Sequence, residues 1–216
     1  MLKQKNLIFV GAPGAGKGTF SSLLLERHPM AHISTGDILR DEVKRDTELG
    51  REAAKLMNAG KLVPDEIIAG MVRDRLTWAD CENGFILDGF PRTIRQAELL
   101  DEALKSLGKQ LDRVVYFKVD DQTILKRLTA RQNCKKCGKI YNKLFMPTKV
   151  ENICDDCGSE VFQRPDDSLE TAKSRLEVFY RQTLPLIEYY SKKNLLLEIT
   201  ELDKDRICEI LSSELE

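Results

Sequence analysis

The sequence predicts an α/β protein built on a doubly wound, five-stranded parallel sheet. Three observations carry that expectation. Five short apolar runs are separated by segments of helical spacing, the alternation that parallel sheets require. The first run, Leu7-Ile8-Phe9-Val10, leads directly into Gly11-Ala12-Pro13-Gly14-Ala15-Gly16-Lys17-Gly18-Thr19. Two stretches break the rhythm: residues 34–63 read as helical, and residues 130–167, which hold four of the six cysteines, read as a small β-rich insert.

Strand, glycine-rich loop and helix in that order make a phosphate-binding loop. Glycine lets the backbone approach a ligand closely. The loop amides and the start of the next helix then present N–H groups to phosphate oxygens. Lys17 supplies a mobile cation to the outer phosphates and Thr19 a hydroxyl for magnesium. The general pattern places Ser or Thr directly after the lysine; here Gly18 intervenes.

Along the chain, Phe20, Leu23, Leu24 and Arg27 lie at helical spacing. Ala31-His32-Ile33 is a second strand, and Ser34 with Asp37 forms an N-cap and N3 pair for a helix from Ile38 to Val43. Helices follow over Leu49–Met57 and from Asp65 through Leu76, the latter preceded by Lys61-Leu62-Val63-Pro64. Gly84–Leu87 is the third strand, Ile94–Leu107 a helix and Val114–Val119 the fourth strand. Asp120 or Asp121 opens a helix running to Arg131. Past the cysteines come a helix from Leu169 to Arg181 that Pro185 bends or interrupts, a fifth strand at Leu195–Ile199 and a closing helix from Arg206 to Leu215.

The cysteines fall in two tight pairs, Cys134-x-x-Cys137 and Cys154-x-x-Cys157, with sixteen residues between them. That spacing is expected of a four-thiolate zinc site, structural because no coordination position stays open. Iron is the lesser alternative; a reducing compartment disfavours two disulfides, and a redox pair would not need four thiols. Cys81 and Cys208 read as ordinary thiols.

Two further groups suit phosphate chemistry. In Asp88-Gly89-Phe90-Pro91-Arg92-Thr93, an acid at the carboxyl end of a strand beside the loop is placed to hold magnesium, and Arg92 to fork onto a phosphate. Arg127 and Arg131, four apart on one expected helix face, join Arg40, Arg92, Arg164 and Arg175 as a candidate arginine funnel.

With 34 Lys+Arg against 35 Asp+Glu, the formal charge of −1 gives no global basic field for nucleic acid. Lys135, Lys136, Lys139 and Lys143 are basic, but Asp155, Asp156 and Glu160 share their insert, so a zinc-ribbon nucleic-acid module is the weaker reading. The apolar runs are too short to span a membrane, and the chain runs into its first strand with no leader pattern, so a cytoplasmic protein is expected.

GAPGAGKGT over Gly11–Thr19, STGDILR over Ser34–Arg40, DGFPRT over Asp88–Thr93, and the cysteine insert followed by Arg164 and Arg175 resemble the adenylate kinases, in their bacterial form with a long zinc-bearing lid. GKGT is usual among these kinases. The resemblance covers nearly the whole chain. It implies a P-loop kinase core (1–33, 64–129 and 168–216), an AMP-binding insert (34–63) and a lid (130–167). The implied reaction is reversible and magnesium-dependent, ATP + AMP to two ADP, in a monomer.

By position, Gly14, Ala15, Gly16, Lys17, Gly18 and Thr19 would hold ATP phosphates, with Arg127, Arg131, Ile140, Tyr141 and Asp203 also on the ATP side. Thr35, Arg40, Lys61, Leu62, Val63, Gly89, Phe90, Pro91, Arg92 and Gln96 would hold AMP, with Arg164 and Arg175 bridging toward the phosphates. Lys17, Arg92, Arg127, Arg131, Arg164 and Arg175 would be catalytic, Thr19 and Asp88 would serve magnesium, and Cys134, Cys137, Cys154 and Cys157 zinc. The chain departs from the family at Thr148, at Glu151-Asn152, and at Thr200-Glu201-Leu202-Asp203, which lacks the glycine common after the fifth strand. A phosphate-loop kinase for another acceptor is the alternative function; Thr35, Gln96 and DGFPRT argue against it.

Overall fold

The computed structural model describes residues 5–201 and 203–215; residues 1–4 and Leu202 of the Thr200-Glu201-Leu202-Asp203 stretch lie outside them. Five strands form the main sheet: β1 (Asn6–Gly11), β2 (Ala31–Ser34), β3 (Phe85–Asp88), β4 (Arg113–Phe117) and, after the lid strands, β8 (Leu196–Ile199). Their order is β2-β3-β1-β4-β8 and every pairing is parallel. Leu7, Ile8, Phe9 and Val10 are all buried, as a central parallel strand covered on both faces must be.

The helices are α1 (Lys17–Arg27), α2 (Thr35–Lys44), α3 (Glu48–Asn58), α4 (Asp65–Leu76), α5 (Ile94–Ser106), α6 (Asp121–Thr129), α7 (Leu169–Val178), α8 (Pro185–Lys192) and α9 (Lys204–Leu215). Phe20 of α1 stacks on Phe117 of β4 with ring centroids 5.3 Å apart, which seats the first helix on the sheet. Ser34 caps α2 by accepting a hydrogen bond from the Asp37 N–H (3.3 Å), as its spacing predicts. Asp120 caps α6 through the Thr123 N–H (2.9 Å).

A second sheet lies in the cysteine-rich segment: β5 (Arg131–Cys134), β6 (Ile140–Asn142) and β7 (Val161–Phe162), antiparallel in the order β6-β5-β7. It has its own small core of Cys134, Tyr141, Cys154 and Val161.

Two expectations are corrected. Helix α6 stops at Thr129, so Arg131 does not share its face with Arg127 but opens β5. Sheet pairing takes over there: Arg131 sits opposite Asn142, and the Lys143 N–H donates to the Ala130 carbonyl (2.9 Å). The helix expected to run to Arg181 ends as α-helix at Val178 and continues as a π-helical turn over Phe179–Thr183. Pro185, which has no N–H, begins α8, and the Leu184 N–H reaches back five residues to the Phe179 carbonyl (2.9 Å).

Candidate active site

The site forms where the loops leave the carboxyl ends of the strands, the usual ligand position in an open parallel sheet. Between β1 and α1 the loop depends on Gly14: its φ is +85°, and a Cβ there would sit 2.9 Å from Leu128 Cγ. Ala15 and Gly16 complete the turn, Gly16 is the residue before α1, and Thr19 lies in that helix's first turn. Gly18 faces two neighbours, since a Cβ on it would lie 3.6 Å from both Asp88 Oδ2 and Ile140 Cδ1. Phosphate loop, Asp88 and lid therefore meet at Gly18.

Lys17 donates from Nζ to the carbonyls of Gly11 (2.8 Å) and Ala12 (3.1 Å). Burial pushes its pKa down to about 8, and Arg92, Arg175 and Arg131 add to the depression against Asp88. For Asp88, burial acts to raise the pKa, but His32, Lys17 and Arg92 outweigh it and hold the carboxyl below the usual range.

Gly89, at φ +78°, lets the chain turn so that its carbonyl accepts from both Thr35 Oγ1 (2.8 Å) and Arg92 Nε (2.7 Å). Arg92 is held at its main chain too: its N–H donates to Gln96 Oε1 (2.7 Å) and its carbonyl accepts from Thr183 Oγ1 (2.9 Å). Burial, and next the Arg175 charge, pushes the Arg92 pKa down to about 10. Phe90 and Pro91, joined by a cis peptide bond, are buried under this turn.

Beside it opens a cleft. Thr35, Arg40, Lys61, Leu62, Val63, Gly89, Arg92, Gln96 and Arg175 line it, together with Leu39, Met57 and Ile68. Polar groups thus face an apolar wall supplied by α2, α3 and α4.

The lid-side arginines are held differently. Arg131 makes a two-point pair with Asp167 (Nε to Oδ2 2.7 Å, Nη2 to Oδ1 2.6 Å). Arg175 Nη1 donates to Asp166 Oδ2 (2.9 Å) and Asp167 Oδ1 (3.1 Å), and Arg164 Nε to Asn133 Oδ1 (2.7 Å). Burial, then Arg131 and Arg40, drives the Arg164 pKa down to about 9. Arginine keeps its proton at neutral pH, so these depressions describe buried cations crowded by one another more than their carboxylates offset.

The four Sγ atoms of Cys134, Cys137, Cys154 and Cys157 lie within 4.8 Å of one another. Tetrahedral zinc with Zn–S bonds of about 2.3 Å separates its sulfurs by about 3.8 Å, so the set fits that ion. The Tyr141 side chain is turned into this centre. It is 2% exposed, its hydroxyl lies 3.3 Å from Cys154 Sγ and accepts from the Asp155 N–H. That hydroxyl is the main reason the Cys154 thiol falls to about 6.

These features, a phosphate loop, an adjoining acid, converging arginines and a cleft beside them, agree with what known proteins show. The adenylate kinase family model matches residues 9–195. The chain belongs to the adenylate kinase family. It is 53% identical to an adenylate kinase of Caldicellulosiruptor bescii over 191 residues, 88% of this chain and 89% of the relative. It is 50% identical to those of Fervidobacterium nodosum and Archaeoglobus fulgidus, each over 194 residues, 90% of this chain and 89% of the relative.

Against the adenylate kinase pattern, Arg127 lies beside the loop, its Nη1 3.5 Å from the Ala15 carbonyl and its guanidinium carbon 6.0 Å from the Phe145 ring centre. Asp203 is exposed, donates its N–H to Glu201 Oε1 (3.0 Å) and caps α9 through the Arg206 N–H (2.9 Å). Two lysines of the basic lid patch are paired, Lys135 with Glu160 and Lys139 with Asp156. Among the described residues no helix is long and apolar enough to cross a membrane.

Sequence reasoning missed Asp166, Asp167, Asn133, Asp65 and Thr183, the groups that orient the arginines and Gln96. For the first two a signal existed: adjacent acids directly after Arg164-Pro165, in a segment rich in arginine, are where buried counter-charges belong.

Proposed function

We propose that this chain interconverts ATP + AMP and two ADP. The observation that carries the reading is that Arg92, which lines the cleft, feels the charge of Asp88, whose carboxylate neighbours Gly18 of the phosphate loop. In this reading the core is 1–33, 64–129 and 168–216, the acceptor insert 34–63 and the lid 130–167. AMP occupies the cleft, with Thr35, Lys61–Val63, Gly89 and Gln96 at its nucleoside and Arg40, Arg92, Arg164 and Arg175 toward its phosphate. Gly14–Thr19 hold the ATP phosphates, with Arg127 and Ile140 at the donor edge.

No side chain need act as nucleophile. A phosphate oxygen of AMP attacks the γ-phosphorus in line, and positioning plus charge carry the catalysis. Lys17 leaves its two carbonyls for the transferring group, while Arg131, Arg164 and Arg175 take up charge on its equatorial oxygens. The lid closes the site to water, which would otherwise accept the phosphoryl group. Thr19 and Asp88 would hold magnesium, directly or through water, and the ion would supply charge neutralisation between the outer phosphates. Zinc on the four cysteines is structural, pinning the two lid turns together. A cytoplasmic monomer fits this reading, and free thiols at that centre suit a reducing compartment.

The test is ADP formation from MgATP with AMP, CMP, UMP or GMP as acceptor. Strong turnover with AMP alone is expected; folded, metallated protein that turns over none of the four would overturn the reading.

A further inference from the structure

We propose that Asp65 is a specificity-determining, positioning residue that fixes the polarity of the Gln96 carboxamide in the acceptor cleft. The proposal rests on the reading of that cleft as the nucleotide-acceptor site.

Asp65 begins α4, yet the described hydrogen bonds of its carboxylate leave the helix. Oδ1 accepts from Gln96 Nε2 (2.8 Å) and Oδ2 from Thr93 Oγ1 (2.9 Å), residues 31 and 28 positions away. Thr93 also caps α5 by accepting from the Gln96 N–H (3.0 Å), so one carboxylate steadies the Gln96 amide directly and its main chain through a hydroxyl. At its other end the amide oxygen accepts the Arg92 N–H (2.7 Å).

Chemistry alone sets the orientation of this amide. An ionised carboxylate only accepts and a main-chain N–H only donates, so the NH₂ must face Asp65 and the oxygen must face Arg92. Gln96 is 2% exposed and lines the cleft, so no bulk water competes for it. What the amide has left for a ligand is one N–H and one lone pair, in a fixed order. Adenine presents an acceptor, ring N1, beside a donor, its exocyclic amino group. Guanine presents the reverse, N1–H beside O6. An amide held in one polarity serves one of these edges in a given pose, whereas an amide free to turn can serve both. A site whose buried polar groups would be left unpaired by the wrong base rejects it strongly.

The experiment measures kcat/KM for AMP and GMP at saturating MgATP in the wild type, Asp65→Ala and Asp65→Asn. Asp65→Ala is expected to lower the AMP:GMP ratio about ten-fold, the factor one net hydrogen bond is worth, because only the Arg92 N–H then opposes the turned amide. KM for AMP should rise while KM for MgATP stays put. Asp65→Asn, whose carboxamide can turn to offer Gln96 either an acceptor or a donor, keeps the brace between α4 and α5 but no longer fixes the polarity, so the ratio should fall there as it does in Asp65→Ala. An unchanged ratio in Asp65→Ala, with only a lower melting temperature, would reduce Asp65 to a brace between α4 and α5 and overturn the proposal. If Asp65→Ala does not fold, Thr93→Val loosens the same carboxylate and should shift the ratio the same way by a smaller factor; no shift there overturns the proposal equally. A wild type that ignores AMP would sink the functional reading itself, a separate outcome.

Discussion

The cations of this site are held in two ways. Lys17 and Arg92 are anchored on neutral carbonyls, those of Gly11, Ala12 and Gly89. Arg131 and Arg175 are clamped on the buried carboxylates of Asp166 and Asp167. A carbonyl orients a cation without cancelling its charge, and a carboxylate does both. The first pair therefore keeps its full appetite for an anion, while the second is built into the scaffold and would meet a ligand already oriented. Phosphoryl transfer uses both, a cation that can travel with the moving group and a frame that does not move.

The largest effect should come from the frame. Asp167 is fully buried and receives both Arg131 and Arg175. Asp167→Ala strands Arg131 and leaves Arg175 on Asp166 alone, and should lower the unfolding free energy by about 3–5 kcal/mol, read by urea denaturation. A loss under about 1 kcal/mol would mean the two classes of cation do not differ as described.

Lys17→Ala probes the other class and should separate stability from activity. Turnover should fall about 10²–10³-fold, because a charge that follows the transferring group is lost. The unfolding free energy should hold or rise, since a buried charge paired only with carbonyls is removed. A destabilised but active variant would reverse the assignment of the loop.

The smallest effect is a proton. Between about 8 and the ordinary 10.5 the unfolded chain holds the Lys17 proton that the folded chain has released. The cost of this group is therefore complete below about 8, and stability rises with pH through that window. A polyphosphate beside Nζ favours the charged form, so binding MgATP near pH 8.5 should take up a fraction of a proton. Calorimetric titration in two buffers of different ionisation enthalpy measures it, and zero uptake would remove Lys17 from the phosphate group.

The frame is also where the sequence was hardest to read. The loop around Lys17 could be read because its glycines, lysine and threonine are consecutive, and the cysteine pairs because ligand spacing is local. Strands such as Leu7–Val10 declare themselves by burial on both faces. Arg131 was misplaced because the four-residue step from Arg127 looks helical, and only pairing with Asn142, eleven residues on, makes it a strand residue. Strand alternation likewise says that Ile140 and Tyr141 face opposite ways, but not which of them faces the loop. Asp65, Asn133 and Thr183 act through contacts 28 to 91 residues distant, and no local pattern marks such partners.

Six cations of the site (Lys17, Arg40, Arg92, Arg131, Arg164 and Arg175) share it with four carboxylates, Asp37, Asp88, Asp166 and Asp167. Charges in that ratio act as an ion-exchange bed one molecule deep, and would hold a multivalent oxyanion more tightly than a monovalent anion. Any such ion that binds only the folded chain raises its stability by RT ln(1 + [L]/Kd). The same chain should then melt at a higher temperature in phosphate than in chloride, its stability belonging to the buffer as much as to the protein.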